Sequence, residues 1–396
     1  TLFAFFTLGL IVYWFKYRAD PWPGYLIVAA IMAGMLFATK ETAIINGAAI
    51  AGAAIASGFY ISIRKRIAGH LAARKRRSEA VDENQADTGT APISTEQVTW
   101  NPMSSFVQAI KDRRTVLTWV AGFAVFLFVM VMLYSSMFTY WHGVREALRA
   151  LSFWTKTGET GHVHPWNTYM LWLWEEESPL LVLGLIGIAV SLWLARSRFA
   201  VFMSIVSLAI LIGYSAVPYK TPWLALNFIV PLAITAGYGL DVLYQQSRSF
   251  WEVALSVALI LAPGAFLLRQ AIELNFFHYD DDRYAYVYAH TRRETLALVD
   301  KIAEIAQLSG RGNDLSITIT SPEYWPLPWY LRDYKNAGFY GQMINRGDLV
   351  VIGSKEQDAE LQKTLGNDYI PLGVYTLRPG TDLVLYAKHT ITRPGS

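Results

Sequence analysis

Apolar residues along this chain gather into long runs parted by short polar breaks, at 2–15, 25–38, 42–63, 116–138, 179–195, 199–217, 223–240 and 251–268. A helix rises about 1.5 Å per residue, so about 20 residues cross a hydrocarbon core roughly 30 Å thick. The 116–138 run does this easily, and 25–38 needs its flanking residues to do so. The pattern predicts a multi-pass α-helical membrane protein with about eight helices. After residue 269 the pattern changes: 295–308 is helix-periodic, 315–320 alternates as a strand, 349–353 is an apolar strand, 355–365 suits a helix, and 374–377 with 383–387 suit a terminal strand pair. The chain is thus expected to hold a transmembrane domain over 1–269 and a small α/β domain over 270–396.

Two breaks stand out. Pro218-Tyr219-Lys220-Thr221-Pro222-Trp223 joins two apolar runs through a link too short for a domain, and its prolines stop helices. Ala38-Thr39-Lys40-Glu41-Thr42 does the same between two earlier runs. A cation deep in hydrocarbon costs on the order of 2.5–3.5 kcal/mol, so each lysine is expected either to snorkel to the headgroups or to meet an anion there. Glu41 also suits a plain neutralising role beside Lys40.

Composition sharpens the class. Of 396 residues 53% are hydrophobic, and 14 Trp with 22 Tyr suffice for aromatic belts at both interfaces. There is no cysteine, which excludes disulfides, thiolate metal sites and a cysteine nucleophile. Dinucleotide, P-loop, zinc-protease and nucleophile-elbow motifs are missing, and the net charge of +3 calls for no nucleic acid partner. The chain opens at Thr1 inside an apolar run, so it is expected to be a fragment lacking its natural N-terminus.

The basic residues orient the helices. Arg64, Lys65, Arg66, Arg74, Lys75, Arg76, Arg77, Lys111, Arg113 and Arg114 fall in one connection, which the positive-inside rule makes cytoplasmic. Alternation then places Lys40, Lys220, the 139–178 loop and the C-terminal domain outside, in a cell-membrane protein. Residues 78–100, polar and lacking aromatics up to Trp100, are expected to be a disordered cytoplasmic linker, with 102–114 along the interface. The 139–178 loop is expected to be interfacial, with an amphipathic helix carrying His142, Arg145, Arg149, Phe153 and Trp154. Small residues at spacing four over 47–58 predict a third helix inside the bundle.

Further candidates are weaker. His162 and His164 with Glu175, Glu176 and Glu177 suit a divalent metal site or acid–base groups, although interfacial histidines and helix-starting glutamates are common. The aromatic stretch 322–334 suits stacking on sugar rings or burial of the domain against the membrane face.

At these residues the chain resembles the polyprenyl-phosphate-sugar-dependent glycosyltransferases of the C superfamily, relatives of protein mannosyltransferases and aminoarabinose transferase. The resemblance lies in Gly34-Met35-Leu36-Phe37-Ala38-Thr39-Lys40-Glu41-Thr42-Ala43 and in His164-Pro165-Trp166 with Tyr169. Tyr219-Lys220-Thr221-Pro222-Trp223 and 325–334, with Trp325, Trp329 and Arg332, are similar to a prokaryotic subfamily named for association with flippase activity. Coverage runs from Lys40 to about Tyr340. The resemblance implies transfer of a sugar from a polyprenyl-phosphate donor, among membrane lipids at the outer face, to a glycan or protein acceptor, assisted by an acidic residue expected upstream of Thr1. Lys40, Glu41, Lys220, Trp223, Tyr169, Trp325, Trp329 and Arg332 would bind substrate, and His164 with Glu175 would hold any divalent metal. A non-catalytic factor in lipid-linked saccharide translocation is the competing expectation. Such a factor should show charges facing a cavity within the membrane, and mid-helix charges are almost absent from the apolar runs.

Overall fold

A computed structural model describes residues 1–83, 112–154, 163–288 and 290–392, and is 69% helical. The chain divides into two compact units, Thr1–Leu267 and Leu268–Ser396.

The first unit is helical: α1 (Leu2–Ala19), α2 (Pro23–Thr39), α3 (Ala43–Glu83), α4 (Arg113–Tyr134), α5 (His142–Trp154), α6 (Thr168–Leu194), α7 (Arg198–Ala216), α8 (Leu226–Gln246) and α9 (Phe250–Ile272). A 3-10 turn, Pro222–Ala225, leads into α8. Among the described residues seven helices are long and apolar enough to cross a membrane, which makes this a membrane-embedded protein by length and composition. The eighth apolar run forms α2, but at 17 residues it stays short of that length. Asp112 caps α4, its carboxylate accepting from the amides of Arg114 and Thr115, so the end of the 102–114 stretch is a helix start; 102–111 lies outside the described residues.

Helices α6, α7 and α8 form the centre, with Leu173, Leu181, Phe202, Met203, Val206, Ile210, Phe228 and Leu232 in one buried cluster. Glycine sets the spacing between α6 and α8: a Cβ on Gly187 would lie 1.9 Å from the carbonyl oxygen of Thr235, and one on Gly184 2.7 Å from Leu232. The Thr235 hydroxyl donates to Gly184 O at 3.2 Å across the same contact.

Three sequence expectations are corrected here. Helix α3 buries only one stripe, Thr42, Ala43, Asn46, Ala49, Ile50, Ala53, Ser57 and Ile61, while Ile55 and Phe59 are exposed and a Cβ on Gly52 would touch nothing. Small residues permit close approach on any face, and the bundle uses one of them. Helix α3 also continues through Glu83, so 78–83 of the expected linker is helical backbone, and 84–100 lies outside the described residues. The 139–178 loop ends early, because α6 starts at Thr168 and takes the glutamates into the helix. Pro179 is absorbed by a break at Glu177 (φ −134°, ψ 30°), as expected where the ring displaces the preceding turn.

The second unit builds a five-stranded mixed sheet in the order β2-β1-β3-β5-β4, from β1 (Ser316–Ile319), β2 (Asn336–Phe339), β3 (Val350–Ser354), β4 (Tyr369–Arg378) and β5 (Thr381–Lys388). The β1 strand pairs parallel with β2 and β3, and β5 pairs antiparallel with β3 and β4. Helices α10 (Glu294–Leu308), α11 (Leu327–Tyr330), α12 (Asp358–Leu365) and α13 (His389–Thr392) accompany it. Leu298, Ile302 and Ile305 of α10 pack with Ile317, Ile319, Ile352 and Leu385 of the sheet. The α11 helix and the β2 edge have no counterpart in the sequence pattern, since four residues carry too little periodicity to register.

Candidate functional site

Both lysine turns come together at one end of the helical unit. Lys40 ends α2 in extended backbone, and its ammonium lies 5.8 Å from the ring centroid of Trp223, three residues beyond Lys220. Val163 and Tyr219 form an antiparallel bridge, and His164 N–H donates to Pro218 O at 3.1 Å, so the chain before α6 straps the second turn.

Lys220 neither snorkels nor reaches a carboxylate of the described residues. It is wholly buried, with its ammonium donating to the carbonyls of Val217 (2.6 Å) and Ser215 (3.1 Å) and lying 5.9 Å from the Tyr169 ring. Ser215 and Val217 lie at the C-terminal end of α7, where helix carbonyls lack amide partners and the dipole is negative, so a cation is favoured. No described carboxylate lies within 4.0 Å of it. Burial pushes its pKa below the usual ammonium value. Lys40 is half-buried and shifted the same way by burial, with Glu41 opposing the shift. Its ammonium makes no hydrogen bond with any described residue.

Beneath the turns lies a buried polar network that the apolar pattern did not reveal. Tyr214 of α7 donates to Asn46 Oδ1 of α3 at 2.9 Å, and Asn46 Nδ2 donates to Thr7 Oγ1 of α1 and Asn227 Oδ1 of α8, each at 3.4 Å. The rings of Tyr169, Tyr214 and Phe228 pack together, and the Tyr169 hydroxyl accepts from Thr221 N–H at 3.3 Å. Asn46 and Asn227, each standing alone among apolar residues of its run, were the available signal for this network.

Of the other candidates, Glu41 is exposed, and Glu175 is exposed while Glu176 is buried in α6. The His164 ring packs edge-on against Trp172, 5.4 Å between centroids. Among the described residues no group of three or more His, Asp or Glu side chains is placed to hold a metal ion, and His162 lies outside those residues.

No family model, curated protein or solved structure matches the chain.

In the second unit Trp325, Trp329 and Arg332 lie in and beside α11. Buried Leu327 and Leu331 anchor α11 in the core, leaving Trp325 and Trp329 61% and 65% exposed. The Arg332 guanidinium lies 4.6 Å from the Trp329 ring centroid and donates to Trp329 O at 2.7 Å. Tyr324 stacks on Trp325, and Arg378, paired with Glu323, donates to Trp325 O at 3.1 Å. These contacts hold two flat apolar faces rigid and open, as ring stacking requires.

Proposed function

We propose that this chain is a cell-membrane glycosyltransferase component that binds a polyprenyl-phosphate-linked sugar where the Lys40 and Lys220 turns meet, with both turns and the C-terminal unit on the outer face. The observation that carries the reading is the meeting of the two lysine turns, with the Lys40 ammonium over the Trp223 ring of the second turn and the buried Lys220 ammonium facing two carbonyls and the Tyr169 ring, with no described carboxylate within reach. A buried cation without a counter-ion is costly, and an anion entering beside it recovers that energy. In transfer, the bond between the sugar's anomeric carbon and the phosphate oxygen breaks with its electron pair going to the phosphate. The acceptor hydroxyl forms the new bond and gives up its proton to a base. The lysines act on the charge that develops on the leaving phosphate, exposed Trp223 lines its approach, and buried Tyr169 holds the second turn through the Thr221 N–H. Trp325, Trp329 and Arg332 supply stacking faces for the glycan or protein acceptor.

Polyprenyl-phosphate binding to the purified chain tests this. Lys40→Gln is the cleanest variant, because the Lys40 ammonium makes no hydrogen bond that its loss would leave open. A charge-assisted phosphate contact is worth roughly 1.5–3 kcal/mol, so the variant should weaken binding about tenfold or more, and adding Lys220→Gln should weaken it further. Unchanged affinity in the double variant, with thermal stability retained, removes the phosphate role from both lysines.

A further inference from the structure

A buried hydroxyl in an apolar bundle ordinarily donates to a carbonyl one turn back, and this chain follows that habit. Thr7 donates to Phe3 O, Ser204 to Ala200 O and Ser207 to Met203 O. Thr42, Thr221 and Ser191 of α6 do not: all three are buried, and none of their hydroxyl oxygens has a partner among the described residues. A buried hydroxyl left unpaired costs about 1–3 kcal/mol, so two of them in the lysine turns need a reason. Thr42 is two residues from Lys40, and Thr221 adjoins Lys220.

Their places in the helices strengthen the point. Thr42 immediately precedes α3, and Thr221 occupies the N-cap of the 3-10 turn that runs into α8, yet makes no side-chain capping bond. Thr42 therefore sits at the positive end of a long helix, where negative charge is favoured, and Thr221 sits at the start of the turn that leads into α8. The tyrosines link them, since the Tyr214 hydroxyl reaches Thr42 O at 3.5 Å, the Tyr169 hydroxyl accepts from Thr221 N–H, and the two rings lie 6.5 Å apart. Two orphan hydroxyls, the Lys40 ammonium and the N-terminus of α3 thus belong to the two turns that meet at one end of the bundle, and each favours an oxyanion. An acyl or prenyl chain would use none of them.

Resting on the reading above, we propose that Thr42 and Thr221 donate hydrogen bonds to the phosphate oxygens of the bound ligand, making this end of the bundle select a phosphate-bearing lipid over the uncharged chain. Lys40 sits over the exposed ring of Trp223 without a hydrogen bond to any described residue, so its ammonium is the one available to pair with the phosphate. Lys220, donating to two carbonyls, holds the second turn in place.

The test uses the purified full chain, with polyprenyl phosphate, inorganic phosphate and the uncharged polyprenyl alcohol as probes. Thr42→Val and Thr221→Val keep the side-chain shape and remove the hydroxyl. Each should weaken polyprenyl-phosphate binding about tenfold, while thermal stability stays level or rises because an unpaired buried hydroxyl is gone. The double Thr→Ser variant should bind within about twofold of the parent. The alcohol should bind more weakly than the phosphate and show no sensitivity to valine. Inorganic phosphate bound tightly and with the same valine sensitivity also supports the hydroxyl assignment, with free phosphate as the source. Valine variants that bind like the parent, while Lys40→Gln does not, overturn this proposal alone. A parent chain that binds neither phosphate probe overturns both this proposal and the reading it rests on. Loss of stability in step with loss of binding, in serine and valine variants alike, assigns the hydroxyls to the fold and overturns the proposal too.

Discussion

Gly187→Ala is expected to damage both the bundle and the lysine end. The added Cβ would lie 1.9 Å from Thr235 O, 2.4 Å from Thr235 C and 3.0 Å from Ala236 N. All three are backbone atoms of α8, so no rotamer change relieves the clash. Side-chain Cβ atoms essentially never approach heavy atoms below 3.0 Å, so α6 and α8 must part locally by about 1 Å. Overpacking of a close contact costs about 1–3 kcal/mol, and a backbone-to-backbone clash belongs at or above the top of that range. Alanine's better helix propensity returns about 1 kcal/mol, leaving a net loss of about 2 kcal/mol or more. Gly237→Ala and Gly52→Ala are the controls, because a Cβ at either site meets nothing within 4 Å. They should be neutral or stabilised by up to about 1 kcal/mol. Helix α6 carries Tyr169, and the turn ahead of α8 carries Thr221, so parting the helices also stretches their 3.3 Å hydrogen bond. Thermal unfolding in detergent, with ligand binding measured on the same samples, gives both readouts. A Gly187→Ala protein as stable as the Gly237→Ala control would refute the close α6–α8 packing and the spacing inferred from it.

In the second unit, the Asp280 carboxylate accepts from Arg293 at Nε (2.9 Å), at Nη2 (2.6 Å) and at the backbone amide (2.9 Å), which holds its pKa down to about 2. A folded-state pKa below the unfolded one means that this stabilisation is complete above about pH 4 and is lost as pH falls through 2. Asp280→Asn should cost about 1–2 kcal/mol at neutral pH, discounted because Arg293 is more than half exposed, and should flatten acid unfolding over that window in a pH series of melts. If the proposed orientation holds, an impermeant maleimide applied to intact cells should label Gln307→Cys, on an exposed position of α10, and spare Ala72→Cys, on the exposed far part of α3; the reverse pattern would invert the topology.

The sequence by itself determined the class of this protein. Runs of about 14 to 23 apolar residues have no satisfactory place in water, and such a segment saturates its own backbone hydrogen bonds only as a helix, so helices form at all eight predicted runs. Alternation in short runs likewise pointed to strands at 315–320, 349–353, 374–377 and 383–387, where the sheet has them. Tertiary structure alone decided which face of α3 is buried, because a helix rich in small residues on several sides offers several equivalent packings and only its neighbours choose among them. It also decided what becomes of Lys220. Lysine at a turn between apolar runs suits a headgroup or an anion, and only the folded turn shows its ammonium on the carbonyls of Ser215 and Val217. The meeting of Lys40 with Trp223 and the hydrogen bond from Asn46 to Asn227 join residues more than 170 positions apart. Local periodicity reports which face of a segment is apolar, whereas the pairing of distant polar groups depends on how helices pack, which no local pattern encodes.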